Sequence, residues 1–219
     1  MEGIFVTGTG TEVGKTVVAA VTANSLAASG RSVAVFKPAV TGLDEPGEAD
    51  HELLRRASGS SQSDEEIAPY RYGPPASPHL AAEMAGEQID PARVLAGASA
   101  AAAGAEAFVC EGVGGLLVPL APGYLVRDLA VELELPLAIA AAPGLGTINH
   151  TLLTIEAARA AGLRVAVVVL TPWPDSPSAI EESNRATIAE LGEVRVETLP
   201  RLDLEDPGSW PGSPRPPRR

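Results

Sequence analysis

The chain has 219 residues, of which 45% are hydrophobic, and its formal charge at pH 7 is −12. This length suits one large α/β domain, and an apolar fraction near one half excludes a chain that is disordered throughout. No apolar run reaches the roughly 18–20 residues of a membrane span, and no secretory signal pattern opens the sequence. The negative charge disfavours nucleic acid or anionic lipid as a partner. Because the single cysteine, Cys110, cannot form an internal disulfide, we expect a cytoplasmic protein that acts on small molecules.

Apolar strands alternate with helices along the chain, which predicts a single-domain α/β fold with a mostly parallel sheet and helices on both faces. Residues 3–7 predict the first strand, 15–28 a helix that Gly30 ends, and 32–36 a second strand. Further strands are predicted at 107–111, 137–141, 165–170 and 194–199, and further helices at about 91–103, 125–134, 148–161 and 178–191.

Three segments are predicted to lie outside this framework. Residues 43–62 and 68–78 are polar or proline-rich and predict an excursion over the functional edge of the sheet. The domain is expected to span residues 1–202, and the Pro/Arg-rich residues 203–219 are expected to form a loose tail.

The segment between the first strand and the first helix carries the sequence GTGTEVGKT at residues 8–16. A phosphate-binding loop reads G-x₄-G-K-S/T: its backbone N–H groups cradle phosphates, its lysine reaches the terminal ones and its hydroxyl binds Mg²⁺. The spacing here is one residue longer, because five residues separate Gly8 from Gly14. The end of the motif, Gly14-Lys15-Thr16, is intact and opens a helix, whose N-terminus favours anions. A plain tight turn is the alternative, but the context predicts phosphate binding.

Only two of the 16 basic side chains, Lys15 and Lys37, are lysines. An arginine-biased composition could leave two lysines by chance; alternatively, these two positions need a compact ammonium. Lys37 follows the second strand, so it should face the same crevice as the phosphate loop. A cation there could stabilise a transferring phosphoryl group or a carboxylate-like acceptor.

A carboxylate should complete a magnesium site beside the loop hydroxyl. Glu111 ends the apolar strand 107–111, which is the usual place for such a ligand, although a strand can also simply end in a polar residue. The acidic run 44–52 could supply a second ligand, and its composition alone selects none of its members.

Three other nucleotide-binding classes fit less well. A guanine-specific GTPase needs an Asn-Lys-x-Asp element, and no lysine follows Lys37. Partition-type ATPases carry a lysine early in the loop, where this chain has Gly10. A Rossmann dehydrogenase would favour G-x-G-x-x-G, which the loop lacks.

Taken in order, the motifs of this chain resemble those of dethiobiotin synthetases, which are ATP-dependent ligases with a P-loop NTPase fold. The resemblance covers residues 5–202 and rests on VTGTGTEVGKT (6–16), FKP (36–38), TG (41–42), SPH (77–79), EGVGG (111–115) and LGTINH (145–150). It implies that 7,8-diaminononanoate takes up CO₂ as a carbamate, that ATP phosphorylates the carbamate, and that the second amine closes a cyclic urea. Phosphorylation makes the poor carbamate leaving group an activated mixed anhydride, so the protein mainly positions groups and neutralises charge.

The resemblance also implies roles for individual residues. Lys15 and Lys37 would be catalytic, with Lys15 on the β- and γ-phosphates of ATP and Lys37 on the carbamate and the transferring phosphate. Thr16, Asp50 and Glu111 would bind Mg²⁺, and the family match is what selects Asp50 from its acidic run.

Two larger sets of residues follow from the same resemblance. The nucleotide-binding set is Glu12, Val13, Gly14, Lys15, Thr16, Val17, Asp50, Glu111, Gly112, Val113, Gly114, Thr171, Pro200, Arg201 and Leu202. The substrate-binding set is Thr11, Lys37, Thr41, Gly146, Thr147, Ile148, Asn149 and His150.

One part of the substrate-binding set has a physical reading of its own. Gly146-Thr147 precedes an apolar-periodic helix and is typical of an N-cap that leaves free N–H groups on the next residues. In the family, this helix start binds the substrate carboxylate across a homodimer interface. His79 and His150 are expected to be structural hydrogen-bonding groups, and Cys110 a buried small side chain.

The chain departs from the family at two places. Thr171 stands where many members have an asparagine that recognises adenine, so triphosphates other than ATP could be accepted. A Pro/Arg-rich segment replaces the final apolar helix. Two other functions stay open at this point: a related P-loop ligase that acts on another carboxylate, and a non-enzymatic nucleotide-dependent switch.

Overall fold

A computed structural model of the chain describes residues 2–211. Its centre is a sheet of six strands: β1 (Glu2–Gly8), β2 (Val33–Phe36), β3 (Ala107–Glu111), β6 (Leu137–Ala141), β7 (Val165–Trp173) and β8 (Val196–Pro200). They lie in the order β2-β3-β1-β6-β7-β8, and every neighbouring pair is parallel. Two short strands, β4 (Pro119–Ala121) and β5 (Tyr124–Leu125), form a separate antiparallel pair. The predicted parallel sheet is confirmed.

The connections between the parallel strands are mostly helical, as parallel pairing requires. The helices are α1 (Lys15–Ala28), α2 (Asp50–Ser58), α3 (Asp64–Ile67), α4 (Pro78–Met84), α5 (Pro91–Ala103), α6 (Val126–Leu133), α7 (Thr147–Ala160) and α8 (Ala179–Gly192), with a 3₁₀ turn at Pro207–Ser209. Within residues 2–211, none of these helices combines the length and the apolar character needed to cross a membrane.

Successive side chains of β1 enter opposite layers of the core, because side chains alternate across a strand. Phe5 packs with Phe108 in the layer that α5 and α6 cover, whereas Ile4 and Val6 pack beneath α1 and α2. Burial on both faces explains why these strands read as continuous apolar runs. Because the strands are parallel, β1, β2 and β3 all end at the same edge of the sheet, and the residues that follow them meet there.

The segment 43–62, expected to be an excursion over the functional edge of the sheet, contains the helix α2, which was not predicted. Both ends of α2 are stabilised locally. At its start the Glu52 side chain accepts a hydrogen bond from the Ala49 N–H at 3.0 Å, and Gly59, with φ +64°, ends the helix. Leu53 and Leu54 pack into the layer beneath α1, so α2 is a covering helix of the sheet.

The segment that follows β8 also departs from the expected loose tail. Trp210 is only 8% exposed and packs in the same layer as α1, and its Nε1 donates to the Asp203 carbonyl at 2.7 Å. Asn24 of α1 donates to the Pro207 carbonyl at 3.1 Å. One buried indole and these hydrogen bonds hold a stretch whose overall composition predicts no packing. The rest of the expected tail, 212–219, lies outside the described residues.

Candidate active site

The phosphate loop between β1 and α1 contains two residues in the left-handed region. Glu12 has φ +58° and Gly14 has φ +85°, and Gly14 is the N-cap of α1. Such residues turn successive backbone N–H groups toward one side, which creates a concavity suited to an anion. A Cβ atom added to Gly8 would lie 2.7 Å from Cγ2 of Val13, so a larger residue at this position would clash with the loop.

The hydroxyl of Thr16 lies between two carboxylates that come from different elements. Its Oγ1 is 3.0 Å from Oδ1 of Asp50, the first residue of α2, and 2.9 Å from Oε1 of Glu111, the last residue of β3. A hydroxyl has one hydrogen and donates to one of these oxygens at a time. Three hard oxygen ligands therefore converge at the start of α1.

Lys37 is bound to the same two carboxylates. Its Nζ is 2.7 Å from Oδ2 of Asp50 and is also hydrogen-bonded to Oε1 of Glu111. Lys37 is 3% exposed and Glu111 is fully buried. The second carboxylate oxygen of Glu111, Oε2, is buried and has no hydrogen-bond partner within residues 2–211.

Burial and neighbouring charges shift the pKa values of Lys37, Asp50 and Glu111 in opposite directions, and the net shift differs for each group. Burial disfavours the Lys37 ammonium, but the Glu111 and Asp50 carboxylates outweigh it and raise its pKa. Burial also disfavours the Asp50 carboxylate, but Lys37 outweighs it and lowers its pKa. For Glu111 burial dominates over Lys37 and raises the pKa.

Lys15 meets a different environment from that of Lys37, although it is also buried. Its Nζ donates to the Gly10 carbonyl at 2.8 Å and makes no ion pair among the side chains that the structure describes. Burial lowers the pKa of Lys15 despite the attraction of Glu111. The ammonium is held beside the loop without a carboxylate in contact, and an anionic ligand there would relieve the cost of burying it.

Thr171 touches the phosphate loop directly. It is 3% exposed, and its Cγ2 lies 2.5 Å from the position that a Cβ atom on Gly14 would take. The end of β7 therefore packs against the cap of α1. This contact was not part of the prediction for Thr171, which concerned only the base.

The start of α7 has its N-cap within the predicted pair Gly146-Thr147. Gly146, with φ +90°, is the N-cap and supplies no side chain, while the Thr147 hydroxyl lies 3.4 Å from that of Thr151. The N–H groups of Ile148 and Asn149 have no acceptor in the part of the chain that the structure describes. The predicted cap at Gly146-Thr147 and its free N–H groups are present, with Gly146 as the N-cap and Thr147 as the first helical residue.

Among residues 2–211, the remaining predicted site residues make no side-chain hydrogen bond or ion pair with Asp50 or Glu111. Thr41 lies between two backbone hydrogen bonds, from Val40 N–H to the Tyr70 carbonyl at 2.9 Å and from Gly42 N–H to the Pro74 carbonyl at 3.1 Å. The others lie in the loop (Thr11, Val13), in the first turn of α1 (Val17), after β3 (Gly112, Val113, Gly114), near the start of α7 (His150), at the end of β8 (Pro200) and after β8 (Arg201, Leu202).

The site also holds an interaction that the sequence reasoning missed. The direct ion pair between Lys37 and Asp50 depends on α2, which was not predicted. Glu52, whose side chain accepts a hydrogen bond from the Ala49 N–H, could have indicated the start of a helix at Asp50, but not the direction of that helix.

Three kinds of comparison relate this chain to known proteins. A family profile described as "AAA domain" matches residues 2–205. "ATP-dependent dethiobiotin synthetase BioD" of Bacillus subtilis is 39% identical over 197 residues, which cover 90% of this chain and 85% of the relative. The protein of that name from Anaeromyxobacter dehalogenans is 46% identical over 194 residues, which cover 87% of this chain and 86% of the relative.

A solved structure shares the fold at low sequence identity. The 54 kDa signal recognition particle protein of Aeropyrum pernix K1, in complex with GDP, superposes with a TM-score of 0.55 at 16% identity. The match covers 98% of this chain but 43% of that chain, and it concerns the fold alone.

Proposed function

Because this chain belongs to the ATP-dependent dethiobiotin synthetase family, we propose that it converts 7,8-diaminononanoate, CO₂ and ATP into dethiobiotin, ADP and phosphate. The observation that carries the proposal is the convergence of Lys37, Asp50, Glu111 and Thr16 beside the phosphate loop. It places a second buried cation, Lys37, beside the loop that would bind the triphosphate. There the ammonium could neutralise the negative charge of an acceptor.

The reaction has three bond-forming steps. One amine of the substrate attacks CO₂ and loses a proton, which gives a carbamate. A carbamate oxygen then attacks the γ-phosphorus of ATP, and ADP leaves with the electron pair of the broken P–O bond. The second amine attacks the carbamoyl carbon, and phosphate leaves as the cyclic urea closes and a proton is lost.

The two lysines serve different groups in this scheme. Lys15, which opens α1 directly after the loop, would bind the β- and γ-phosphates, where the negative charge of ATP relieves the cost of its burial. Lys37 would neutralise charge on the carbamate and on the phosphoryl group in transfer, because its raised pKa keeps it protonated.

The residues present fit a magnesium ion. Within residues 2–211 no group of three or more His, Cys, Asp or Glu side chains could hold a metal, but Mg²⁺ is usually held by one or two carboxylates together with substrate phosphates and water. Thr16, Asp50 and Glu111 would hold it, and the unpartnered buried Oε2 of Glu111 is a further oxygen at the same place. The bound ion would supply charge neutralisation of the phosphates.

The substrate carboxylate is assigned to the start of α7. The N–H groups of Ile148 and Asn149 are without acceptors in the described part of the chain, and a helix N-terminus favours an anion. Leu145, just before this helix, is 95% exposed, and Leu153 on it is 56% exposed. These apolar side chains support a homodimer in which α7 of one subunit faces the site of the other.

The oligomeric part of the proposal has its own test. Leu153→Glu is expected to give a monomer by light scattering, whereas Met84→Glu, at a similarly exposed position of α4 (61%), should leave the dimer intact. Equal behaviour of the two variants would contradict the assignment of α7 to the interface.

Two further points complete the proposal. The cytoplasm is the expected compartment, since the single cysteine is free and buried. Thr171 offers one hydroxyl where a two-point contact with adenine would need an amide, so triphosphates other than ATP are expected to serve.

The central experiment incubates the protein with ATP, Mg²⁺ and bicarbonate, with and without 7,8-diaminononanoate. We expect phosphate release that requires the diamine, together with a product of the mass of the cyclic urea. Phosphate release that ignores the diamine would contradict the proposal and favour either another ligase or a nucleotide switch.

A further inference from the structure

We propose that Lys37 and a divalent cation compete for the Asp50 and Glu111 carboxylates, above all for Oε1 of Glu111, so that cation binding releases the Lys37 ammonium toward the reacting groups. The inference rests on the proposed assignment of Thr16, Asp50 and Glu111 as the metal-binding residues. It adds to that assignment a second role for Lys37, as the internal counter-ion of the metal site.

The contacts of Glu111 carry the argument. Its Oε1 receives both the Lys37 ammonium and the Thr16 hydroxyl, the latter at 2.9 Å. A cation bound between this hydroxyl and this oxygen would meet the ammonium within the same small volume. Two positive groups a few ångströms apart in a buried site repel strongly, so both cannot hold Glu111 Oε1.

Asp50 contacts the same two groups, but through a separate oxygen for each. Its Oδ1 is 3.0 Å from Oγ1 of Thr16, and its Oδ2 is 2.7 Å from Nζ of Lys37. Each carboxylate is therefore shared between the Thr16 hydroxyl and the Lys37 ammonium.

The charges of the site point to the same coupling. Lys15, Lys37, Asp50 and Glu111 act on one another electrostatically, and their formal charges cancel. A divalent cation on its own would leave an excess of two positive charges in a buried place. A bound triphosphate would offset that excess, so cation and nucleotide should bind together far better than the cation alone.

The backbone of Lys37 allows such a movement without a change of fold. Its N–H donates to the Ile67 carbonyl at 2.8 Å, which fixes the main chain at the end of β2. Only the flexible four-carbon stem has to turn for the ammonium to leave the carboxylates.

The test measures binding of Mn²⁺ alone, without nucleotide, by the loss of the free-ion signal in electron paramagnetic resonance. Lys37→Met is expected to bind Mn²⁺ at least ~10-fold more tightly than the wild type, because the competitor is gone. The matched control is Lys15→Met, which removes an equal charge that contacts no carboxylate; we expect a gain of less than about threefold. A Lys37→Met gain no larger than that of Lys15→Met overturns the inference.

A measurement on the wild-type side chain keeps the proposal testable if Lys37→Met does not fold. The chain has two lysines, so ¹⁵N labelling of lysine gives two side-chain NH₃⁺ signals, and Lys15→Met assigns the remaining one to Lys37. Saturating Mg²⁺ is expected to shift or broaden the Lys37 signal as its carboxylate partners are lost. If calorimetry shows that Mg²⁺ is bound but the Lys37 signal does not change, the competition is refuted.

Glu111→Gln separates this inference from the metal assignment on which it rests. Loss of Mn²⁺ binding in Glu111→Gln, with no gain in Lys37→Met, refutes the competition and leaves the metal site standing. Unchanged Mn²⁺ binding in Glu111→Gln refutes the metal site itself. Weaker binding in Glu111→Gln with tighter binding in Lys37→Met supports both.

Discussion

Gly14→Ala is expected to strain the phosphate loop through a contact with Thr171. Gly14 has φ +85°, and an added Cβ would lie 2.5 Å from Cγ2 of Thr171, closer than Cβ atoms approach in real structures. Gly30 also has φ +85°, but a Cβ there meets nothing within 4 Å. Gly30→Ala is therefore a matched control that carries the backbone cost without the contact.

The magnitudes separate the two variants. A left-handed conformation costs an L-residue roughly 1–2 kcal/mol, which applies to both positions. Overpacking adds about 1–3 kcal/mol at Gly14 alone. We expect Gly14→Ala to lower the free energy of unfolding by ~2–5 kcal/mol and Gly30→Ala by ~1–2 kcal/mol.

Urea unfolding of Gly14→Ala, Thr171→Ser and the double variant tests the cause. Serine keeps the hydroxyl but removes Cγ2, so the double variant should recover about 1–3 kcal/mol relative to additivity. The comparison of unfolding free energies is valid where the wild type and the variants have the same m-value. Equal effects of Gly14→Ala and Gly30→Ala, or a double-mutant cycle without coupling, would refute the proposed packing of Thr171 against the loop.

Five further predictions concern the two lysines and the base. Lys37→Ala should bind ATP almost normally by calorimetry but lose at least ~10²-fold in turnover; turnover within a few-fold of wild type would contradict its role. Lys15→Ala should weaken both triphosphate binding and turnover, and an unchanged Kd would count against it. Burial lowers the pKa of Lys15, so its ammonium destabilises the fold at pH values below that lowered pKa. Lys15→Met should therefore raise the free energy of unfolding near neutral pH. The difference in this free energy between the variant and the wild type should shrink as the pH rises toward about 10.4, the pKa of an unperturbed lysine. Lys37→Met should instead lower that free energy by ~3–5 kcal/mol, because Glu111 stays buried without its partner; urea titrations of both variants check the opposite signs. With Thr171 in place of an amide, kcat/KM for CTP should lie within about tenfold of that for ATP, a gap of ~1.4 kcal/mol, and an ATP preference beyond ~10³ would show that another group recognises the base.

The sequence could locate Lys15, Lys37 and Glu111 near one another because each follows a predicted parallel strand or its loop. In a parallel sheet the carboxyl ends of neighbouring strands share one edge, so spacing along the chain does not matter for their proximity. The registers that pair β1 with β3 and β2 with β3 bring these ends together as expected.

The position of Asp50 could not be derived in the same way. Its approach to Thr16 depends on the direction of α2, and that direction is set by packing of Leu53 and Leu54 beneath α1, not by any local preference of residues 44–52. A composition that is polar on average hides two leucines on one helix face. The family resemblance selected Asp50 where local pattern did not.

Trp210 shows the same limit of averaged composition. Five prolines within 203–219 predict no packed structure, but a single large aromatic side chain buries enough area to hold a short segment against a domain. A prediction from composition averages over all residues of a segment, whereas the packing of this segment depends on one residue, Trp210.

The scarcity of lysine can now be weighed against burial. Lys15 and Lys37 are 7% and 3% exposed, while no arginine within residues 2–211 is buried. A compositional bias toward arginine would act on exposed and buried positions alike, so it does not explain why both remaining lysines are buried at one site. Lys37 serves two carboxylates through one nitrogen, which a compact ammonium can do and a planar guanidinium, with its fixed fork, cannot do in the same volume. The two lysines are therefore best explained by the chemistry of the site.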